Sequence, residues 1–403
     1  MYKTINKCRV CSNESLNSVI NLGKQPPANS LQKKIFKQSR IPLNVVRCSK
    51  CSILQLNATV SPKHLFSKYL WVTGTSEEVK KYRDFFVGKI KKNHNIGQKV
   101  LEIASNDGFF LKELKKKKYE VLGVDPAKNI AKKANKDGVK TIPVFFNKIN
   151  AINIKKNFFS PDIIICRNVI PHVENINSVI GGISEILKKN GKAYIEFHYA
   201  ENLSKNLHYD YIYHEHVFYF TYFSIKKLLN KHKLYPVNYF KSPISGGSIV
   251  LEISKKKINE SRDLKKLKIK EAKSKINTLN YWNNFSKKCH NHKKTLIKKI
   301  SKIDGGIAGY GASARSSTLL NFCKINNKIL KIIFDKNPLK HNLYTAGSNI
   351  KILSPTKKLI KKFNCILILA WNFEKEIIRY LKKNGFKGKL IVVLPKIKSL
   401  NVN

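Results

Sequence analysis

The sequence predicts an α/β protein of three parts: a small cysteine-rich module followed by two units that each contain a parallel sheet. At 403 residues the chain is too long for one ordinary core, so two or three domains are expected. Two C-x-x-C pairs lie near the amino terminus, and strand and helix signals alternate in two separate stretches of the remaining chain. Such alternation is typical of a parallel sheet covered by helices.

The first part, residues 1–75, shows little regular periodicity and contains both cysteine pairs, Cys8 with Cys11 and Cys48 with Cys51. Each C-x-x-C presents two thiolates from one tight turn, and two such turns complete a tetrahedral zinc site. Disulfides are not expected, because the amino-terminal residues show no secretory signal. Four packed, reduced cysteines are the alternative, which the twin spacing disfavours. Because the set leaves no coordination position open, we expect structural zinc.

The second part, residues 76–254, alternates between helix and strand. A helix is predicted from Glu77 to Lys92, and a strand from Lys99 to Ala104 leads through a short turn into another helix. The carboxyl ends of the parallel strands then share one edge of the sheet. The further strands are Tyr119–Val124, Asp162–Cys166 and Ala193–Phe197, and the further helices are Gly108–Lys117, Ala127–Asn135 and Ile176–Lys189.

The turn after the first strand is the predicted ligand site, because ligands of open α/β sheets bind beyond the carboxyl ends of the strands. Asp125 ends the second strand, where a carboxylate accepts hydrogen bonds from ribose hydroxyls. NAD-binding proteins need a G-x-G-x-x-G turn, which this chain lacks, so S-adenosylmethionine is favoured. An acidic strand end with no ligand is the alternative. The predicted cofactor contacts are Glu102, Ala104, Ser105, Asn106, Asp107, Gly108, Asp125, Pro126, Phe146 and Asn168.

The segment from Tyr211 to His216 is dense in titratable groups. Near neutral pH, one titratable side chain of this kind removes a proton from the carbon next to a carbonyl group. Other side chains donate hydrogen bonds to the enolate oxygen that results. His172 follows a predicted strand and is expected at the same edge of the sheet. A metal site is the alternative, but the H-E-x-x-H pattern is absent, and His214 and His216 on a strand would point to one face without a metal.

The third part, residues 255–403, begins with the stretch Lys255–Lys302. This stretch lacks Gly and Pro and has apolar residues at helical spacing, which predicts one or two long connecting helices. A second α/β unit follows. Its predicted strands are Ile307–Gly309, Ile329–Phe334, Cys365–Ala370 and Lys389–Leu394, with helices from Ser313 and Glu374.

The formal net charge of +53 does not by itself indicate nucleic-acid binding. Nucleic-acid binders gather Lys and Arg on one face, whereas here Lys is spread evenly and accompanies abundant Asn and Ile, as in AT-rich coding sequences. We interpret the charge as a solvated surface that also favours anionic substrates, and expect no nucleic-acid partner. No apolar run approaches the ~20 residues of a membrane span, so a cytoplasmic protein without a membrane partner is expected.

Taken in order, the motifs resemble, nearly end to end, the sugar C-methyltransferases that act at C3 of nucleotide-linked 4-keto sugars. Each motif alone is weak, but the ordered set is specific. Besides the cysteine pairs, the segments that carry the resemblance are Leu22–Asn29, Glu102–Gly108, Asn168–Val173, Ile212–His216, Phe218–Phe220, Gly246–Ser248, Gly309–Arg315, Asp335–Pro338 and Ala370–Phe373.

The resemblance implies a class I S-adenosylmethionine-dependent methyltransferase domain between a zinc-binding module and a carboxy-terminal Rossmann-like domain, as a monomer or homodimer. His216 matches the base that takes the C3 proton, and Glu215, Tyr213 and His172 match residues that orient the base or stabilise the enediolate. Tyr69 matches an amino-terminal tyrosine, although Trp71 stands where members often have Tyr. The implied contacts to the sugar nucleotide are His198, Ser248, Gly309, Gly311 and Arg315, the last at a position where many members carry Lys.

Three other functions stay open on sequence grounds. One is O- or N-methylation of a sugar with the same cofactor, which needs no ketone. A second is an RNA-modifying or nucleic-acid-binding protein, suggested by the charge and the cysteine module. The third is a non-catalytic scaffold that retains only the folds.

Overall fold

The computed structural model describes residues 2–61, 77–243 and 247–402, so Tyr69 and Trp71 lie outside the described residues. The described strands are β1 (Tyr2–Thr4), β2 (Leu16–Gln25), β3 (Ile41–Cys48), β4 (Leu54–Leu56), β5 (Ala58–Val60), β6 (Lys99–Ile103), β7 (Glu120–Val124), β8 (Thr141–Ile142), β9 (Ile163–Arg167), β10 (Lys192–His198), β11 (Phe218–Tyr219), β12 (Tyr235–Lys241), β13 (Ser248–Ser254), β14 (Ile307–Tyr310), β15 (Ile332–Phe334), β16 (Lys351–Leu353), β17 (Cys365–Ile368), β18 (Gly388–Val392) and β19 (Lys398–Val402).

The α-helices of the described residues follow the predicted alternation. They are α1 (Glu77–Asn93), α2 (Phe109–Lys116), α3 (Lys128–Lys136), α4 (Lys148–Asn157), α5 (Ile176–Ile186), α6 (Ala200–Lys205), α7 (Tyr222–Lys231), α8 (Arg262–Lys273), α9 (Leu279–Ile300), α10 (Ala314–Cys323), α11 (Lys357–Ile360) and α12 (Glu374–Lys383).

The cysteine-rich part folds as an antiparallel β module, although its sequence shows little regular periodicity. Its main sheet has the order β11-β4-β3-β2, and β1 pairs with β5. Register shifts interrupt the pairing of β2 between Ser18 and Ile20 and between Asn21 and Lys24. Because each bulge moves the following side chains to the other face, the two-residue alternation is lost from the sequence.

The second part contains a seven-stranded sheet in the order β12-β13-β10-β9-β6-β7-β8. Strands β6 to β10 are parallel, and β13 runs antiparallel to both of its neighbours. The sequence predicted the central strands to within two residues but missed β8, β11, β12, β13, α4, α6 and α7. In β13 six of the seven residues are buried, and a continuous buried run gives no periodic signal.

The third part begins with two connecting helices, α8 and α9, as predicted. Its sheet has the order β16-β15-β14-β17-β18-β19, and all strands are parallel except β19. β15 starts at Ile332 and not at Ile329, because the amide of Ile329 donates to the carbonyl of Asn326 in a turn. Although α9 has 22 residues, no helix in the described ranges is both long and apolar enough to cross a membrane.

The segment between α6 and α7 contacts all three parts of the chain. In the amino-terminal module, Leu56 donates its amide to the carbonyl of Val217, and β11 extends the sheet at β4. In the carboxy-terminal unit, Thr318 Oγ1 donates to the carbonyl of Ile212 at 3.0 Å. This segment contains three of the predicted catalytic residues, Tyr213, Glu215 and His216, so the fold places these three where the parts of the chain meet.

Candidate active site

A cavity of about 1900 Å³ lies at the carboxyl ends of β6, β7 and β9. The carboxy-terminal unit contributes Trp371, Asn372 and Phe373 to its wall, so the cavity spans two of the three parts. The predicted site residues that line it are Ala104, Asn106, Asp125, Pro126, Phe146, Asn168, His172 and Arg315.

Asp125 is fixed by two backbone amides. Asn106 donates to its Oδ2 and Ala127 donates to its Oδ1, each at 2.9 Å. Burial raises the pKa of Asp125, while these two hydrogen bonds favour the ionised form. The carboxylate is therefore held at the cavity wall with its remaining lone pairs available to accept ribose hydroxyls, and it fits the nucleoside of S-adenosylmethionine.

The turn between β6 and α2 has three residues with positive φ: Ala104, Asn106 and Gly108. Gly108 at φ 72° begins α2, and a Cβ there would lie 2.9 Å from the side chain of Val139. Both the backbone conformation and the close packing therefore require glycine at this position. The compact turn brings the backbone of Ala104 and Asn106 to the cavity, which agrees with the cofactor contacts predicted for them.

Four other predicted cofactor residues, Glu102, Ser105, Asp107 and Gly108, do not line the cavity. Glu102 is fully buried and accepts from Arg167 Nη2 at 2.6 Å and Nε at 3.0 Å. The Arg167 guanidinium lies 3.3 Å from the centroid of the Phe110 ring. Glu102 therefore lies behind the cavity wall, where it pairs with the cavity residue Arg167.

His214 and His216 lie in a turn, so the prediction that they share one face of a strand is wrong. The turn closes through the amide of His216, which donates to the carbonyl of Tyr213. His214 points away from His216 and reaches the carbonyl of Ile41 in the amino-terminal module at 3.2 Å. Of the two histidines, only His216 therefore faces the aromatic side chains of the active-site turn. The two histidines do not form a metal site.

His216 is buried with its ring packed against Tyr211 and Tyr213, at 4.0 Å between centroids in each case. Its Nδ1 lies 2.7 Å from the carbonyl oxygen of Tyr211. Because a carbonyl only accepts, Nδ1 is protonated and Nε2 carries the lone pair. Burial, followed by the neighbouring His172, holds the pKa of His216 well below its ordinary value. The ring is therefore a neutral base at neutral pH.

His172 lies beside His216 at the cavity wall. The two imidazole centroids are 4.8 Å apart, and His172 lines the cavity whereas His216 does not. His172 Nδ1 donates to the carbonyl of Glu215 at 2.8 Å, which also leaves its Nε2 unprotonated. Burial lowers the pKa of His172 to about 4. In this state His172 accepts a proton and cannot donate one through Nε2 to an enediolate.

Glu215 connects the active-site turn to the amino-terminal module. Its Oε1 accepts from Asn29 Nδ2 at 2.6 Å, and burial raises its pKa. Sequence reasoning gave Asn29 no role, although Asn29 ends the Leu22–Asn29 segment that carried part of the resemblance. The contact fixes Glu215 beside the base, and no spacing argument predicts it because the two residues lie far apart in the chain.

His198 and Ser248 lie one layer behind the cavity. They face each other at the ends of β10 and β13, and both are buried. The His198 ring packs against Tyr211 at 4.2 Å between centroids and lies 5.9 Å from His208. The structure thus places His198 behind the ring that holds His216, while neither His198 nor Ser248 reaches the cavity wall.

Asp210 joins the active-site segment to the carboxy-terminal unit. Its carboxylate accepts from Arg315 Nε at 3.2 Å and from Trp371 Nε1 at 2.8 Å. The Arg315 guanidinium also lies 4.5 Å from the Trp371 ring, and His208 stacks on that ring at 4.4 Å. Arg315 is therefore an ion-pair partner as well as a cavity residue. Sequence reasoning missed Asp210, because only the fold brings its partners together.

The carboxyl edge of the carboxy-terminal sheet repeats the arrangement around Asp125. Asp335 follows β15, and its Oδ2 accepts from the amide of Ala312 at 2.8 Å while its Oδ1 accepts from Asn337 at 2.9 Å. Lys340 Nζ lies 3.3 Å from Oδ2. Asp335 belongs to a segment that carries the resemblance, but the sequence alone assigns it no role.

Gly311 begins the turn from β14 to α10 in this unit. It has φ 99°, and a Cβ would lie 2.4 Å from Cβ of Ala370, so only glycine fits. Gly309 and Tyr310 belong to β14 itself, so the predicted Gly309–Gly311 turn starts later than expected. Gly309 packs between strands and lies away from the cavity wall.

The four amino-terminal cysteines form the predicted metal site. Their sulfur atoms all lie within 4.8 Å of one another, and the Cys8–Cys51 and Cys11–Cys48 pairs are 3.6 Å apart. Four thiolates about 2.3 Å from a central zinc ion stand about 3.8 Å apart, so the set fits tetrahedral zinc. Gln55 Nε2 donates to Cys8 Sγ at 3.3 Å, which connects the site to strand β4.

Comparison with known families gives three consecutive matches along the chain. A zinc binding domain matches residues 8–66, a methyltransferase domain matches residues 73–238, and a C-methyltransferase C-terminal domain matches residues 243–395. The matches follow the order of the β module and the two parallel-sheet units, although the third match begins at residue 243, before β13 of the second sheet.

One curated relative is similar over almost its full length. The C-methyltransferase NovU of Streptomyces niveus is 29% identical over 408 residues, covering 98% of this chain and 96% of that protein. The match includes the cysteine module and the carboxy-terminal unit, and is not confined to the cofactor domain.

Two similar solved structures each cover less than half of this chain. The PH0226 protein of Pyrococcus horikoshii has a TM-score of 0.37 and 19% identity, covering 48% of this chain and 98% of its own. The magnesium protoporphyrin IX methyltransferase of Synechocystis, solved with bound S-adenosylmethionine, has a TM-score of 0.34 and 13% identity, covering 44% and 84%. These scores are too low to carry any argument about the substrate.

Proposed function

We propose that this chain is an S-adenosylmethionine-dependent C-methyltransferase with an amino-terminal zinc-binding domain, and that it methylates C3 of a nucleotide-linked 4-keto sugar. The proposal has three components: a base for a carbon acid, a site for the methyl donor, and a site for the nucleotide. Each is supported by different residues.

The position and tautomer of His216 carry the proposal. Its Nδ1 donates to the Tyr211 carbonyl, so Nε2 is a neutral proton acceptor. The centroid of its ring lies 4.8 Å from that of the cavity residue His172. A base is needed for methylation of carbon, because a C–H bond beside a ketone must be broken before carbon becomes nucleophilic. Methyl transfer to a hydroxyl has no such requirement for a ketone.

In the proposed reaction the C4 ketone acidifies the C3–H bond, and Nε2 of His216 accepts that proton. The electron pair of the broken bond is delocalised onto the C4 oxygen, where the Tyr213 hydroxyl is the candidate donor. S-adenosylmethionine, when bound, supplies the electrophilic methyl group. The electron pair then returns to C3 and forms the new bond to methyl as the methyl–sulfur bond breaks, which leaves S-adenosylhomocysteine, and the proton leaves from His216 to solvent. Glu215, held by Asn29, positions the turn that carries the base.

The braced carboxylates support two separate nucleoside sites. Asp125 faces the cavity from the methyltransferase domain, and Asp335 occupies the equivalent position in the carboxy-terminal unit. We assign the first to the methyl donor and the second to the nucleotide of the substrate. Arg315 and Trp371 line the cavity from the carboxy-terminal unit and are then placed to contact the sugar or its phosphates.

A 4-keto sugar nucleotide with deuterium at C3 tests the proposal. We expect the product to carry the new methyl group on carbon and to have lost the C3 deuterium, as read by mass spectrometry and ¹³C NMR. A product that keeps the deuterium and carries methyl on oxygen or nitrogen would instead identify a sugar O- or N-methyltransferase. His172→Gln in the same assay examines the second imidazole, which lines the cavity.

A further inference from the structure

Three charged side chains form a buried row across the central strands of the methyltransferase sheet. Arg167 at the end of β9 lies between Glu102 on β6 and Glu196 on β10, and Glu196 is the direct register partner of Arg167. Both glutamates are fully buried, and the Arg167 side chain is 11% exposed. The cofactor contacts predicted from sequence include Glu102 but not Glu196.

Glu196 is in contact with the cavity wall. Tyr82, which lines the cavity, donates its hydroxyl to Glu196 Oε2 at 2.8 Å. Ser242 and Asn168, which also line the cavity, lie near the same carboxylate. Burial raises the pKa of Glu196, while the charge of Arg167 and the neighbouring polar side chains favour its ionised form.

Burial raises the pKa of both glutamates, and a cation bound in the cavity would favour their ionised forms, in which the row carries one more negative than positive charge. A buried carboxylate without a counter-charge is costly, so an excess of this kind needs a cationic partner or a function. Asp107 and Asp125 lie close enough to Glu102 to add to the negative potential. Lys81 and Lys241 line the cavity, but neither forms an ion pair with a member of the row.

We propose that Glu196 is a specificity-determining residue that makes the cavity bind the sulfonium form of the cofactor, S-adenosylmethionine, more tightly than its neutral product, S-adenosylhomocysteine. The methyl donor carries one positive charge more than the demethylated product, and the row supplies the matching excess negative charge beneath the cavity. Loss of this attraction after transfer favours release of the product. The inference rests on the cofactor dependence of the chain and not on the identity of the methyl acceptor.

Isothermal titration with the two cofactor forms tests the proposal without any turnover. We expect Glu196→Gln to weaken binding of S-adenosylmethionine on the order of tenfold while changing binding of S-adenosylhomocysteine by less than about twofold. Glu252→Gln is the matched control, since Glu252 lies in the same sheet but pairs with Lys192 away from the cavity. We expect it to change neither affinity.

Two further measurements keep the test decisive. Tyr82→Phe removes one donor to Glu196 with little change in shape, so we expect a smaller loss in the same direction even if the Glu196 variant does not fold. Sinefungin, which carries an amine in place of the sulfonium methyl, should follow the methyl donor and not the product. Equal weakening of both cofactor forms, or no weakening of either, would overturn the proposal. Sugar methylation with loss of C3 deuterium would remain intact in either case.

Discussion

Arg315 Nε lies 3.2 Å from Asp210 Oδ2, so an ion pair joins the carboxy-terminal unit to the segment that carries His216. Asp210 immediately precedes Tyr211, whose carbonyl oxygen holds the imidazole of His216. The Asp210 side chain is 1% exposed, and that of Arg315 is 17% exposed. The unit assigned to the sugar nucleotide is therefore connected, through two consecutive residues, to the proposed base.

Asp210→Asn should destabilise the protein by about 3 kcal/mol, because it removes one partner of a shielded ion pair and leaves Arg315 uncompensated. We also expect a fall in kcat, because the carbonyl that orients His216 loses its fixed position. Chemical denaturation and steady-state kinetics provide the measurements. Asp304→Asn, at an exposed carboxylate, is the control. A variant with unchanged stability and kcat would show that the ion pair does not position the base.

Asp335→Asn should weaken binding of nucleoside diphosphates roughly tenfold and leave binding of S-adenosylmethionine unchanged. The substitution replaces the charged carboxylate, which accepts hydrogen bonds from hydroxyls, with a neutral amide. Asp125→Asn should have the reverse pattern. Titration of both variants with a panel of nucleoside diphosphates and with the methyl donor measures the two affinities. If either variant weakened both ligands equally, the assignment of one carboxylate to each nucleoside would be wrong.

Zinc removal should reduce methyl transfer as well as stability. Gln55 donates to Cys8 Sγ and lies in β4, which pairs with β11 just after His216. A displacement of about 1 Å at a catalytic group costs on the order of a hundredfold in rate. We therefore expect Cys48→Ser to lose its bound zinc, to melt at a lower temperature and to lose activity. Mass spectrometry measures the metal content.

Cys289→Ala is the control for the zinc prediction, since this cysteine is buried in the core outside the four-cysteine set. It should retain one zinc ion per chain and most of the activity. Full activity in a zinc-free Cys48→Ser protein would separate the metal site from the active-site turn.

The acid limb of kcat/KM should lie well below pH 6.5, the ordinary value for histidine. A base works only when neutral, and the pKa of His216 is held well below that value, with His172 at about 4. Activity is therefore retained as the pH falls through 6.5 and lost only nearer the lowered pKa values. A pH–rate profile, with circular dichroism to exclude acid unfolding, measures the limb. A limb centred near 6.5 would mean that an exposed histidine is the base.

The sequence predicted those parts of the fold whose residues are close in the chain. The strand, turn and helix around Glu102 to Phe109, the acidic end of the second strand and both C-x-x-C turns follow local rules of geometry and ligation. The β module was not predicted, because its bulges hide the two-residue period.

Contacts between distant segments account for most of what the sequence did not reveal. Asn29 meets Glu215, and Asp210 meets Trp371, only because three separate domains converge on one turn. Glu196 gave no signal, because a glutamate within an apolar strand is recognisable as functional only when its neighbours across the sheet are known. His214 was grouped with His216 by spacing alone, and the turn directs it elsewhere.

The central claim is that Nε2 of His216 removes a proton from a carbon beside a ketone. Release of deuterium from a C3-deuterated 4-keto sugar nucleotide into water, measured with S-adenosylhomocysteine in place of the methyl donor, tests this step apart from methyl transfer. We predict rapid release by the wild-type protein and a loss on the order of a thousandfold in His216→Gln, with cofactor binding unchanged. Release by His216→Gln at close to the wild-type rate would contradict the account.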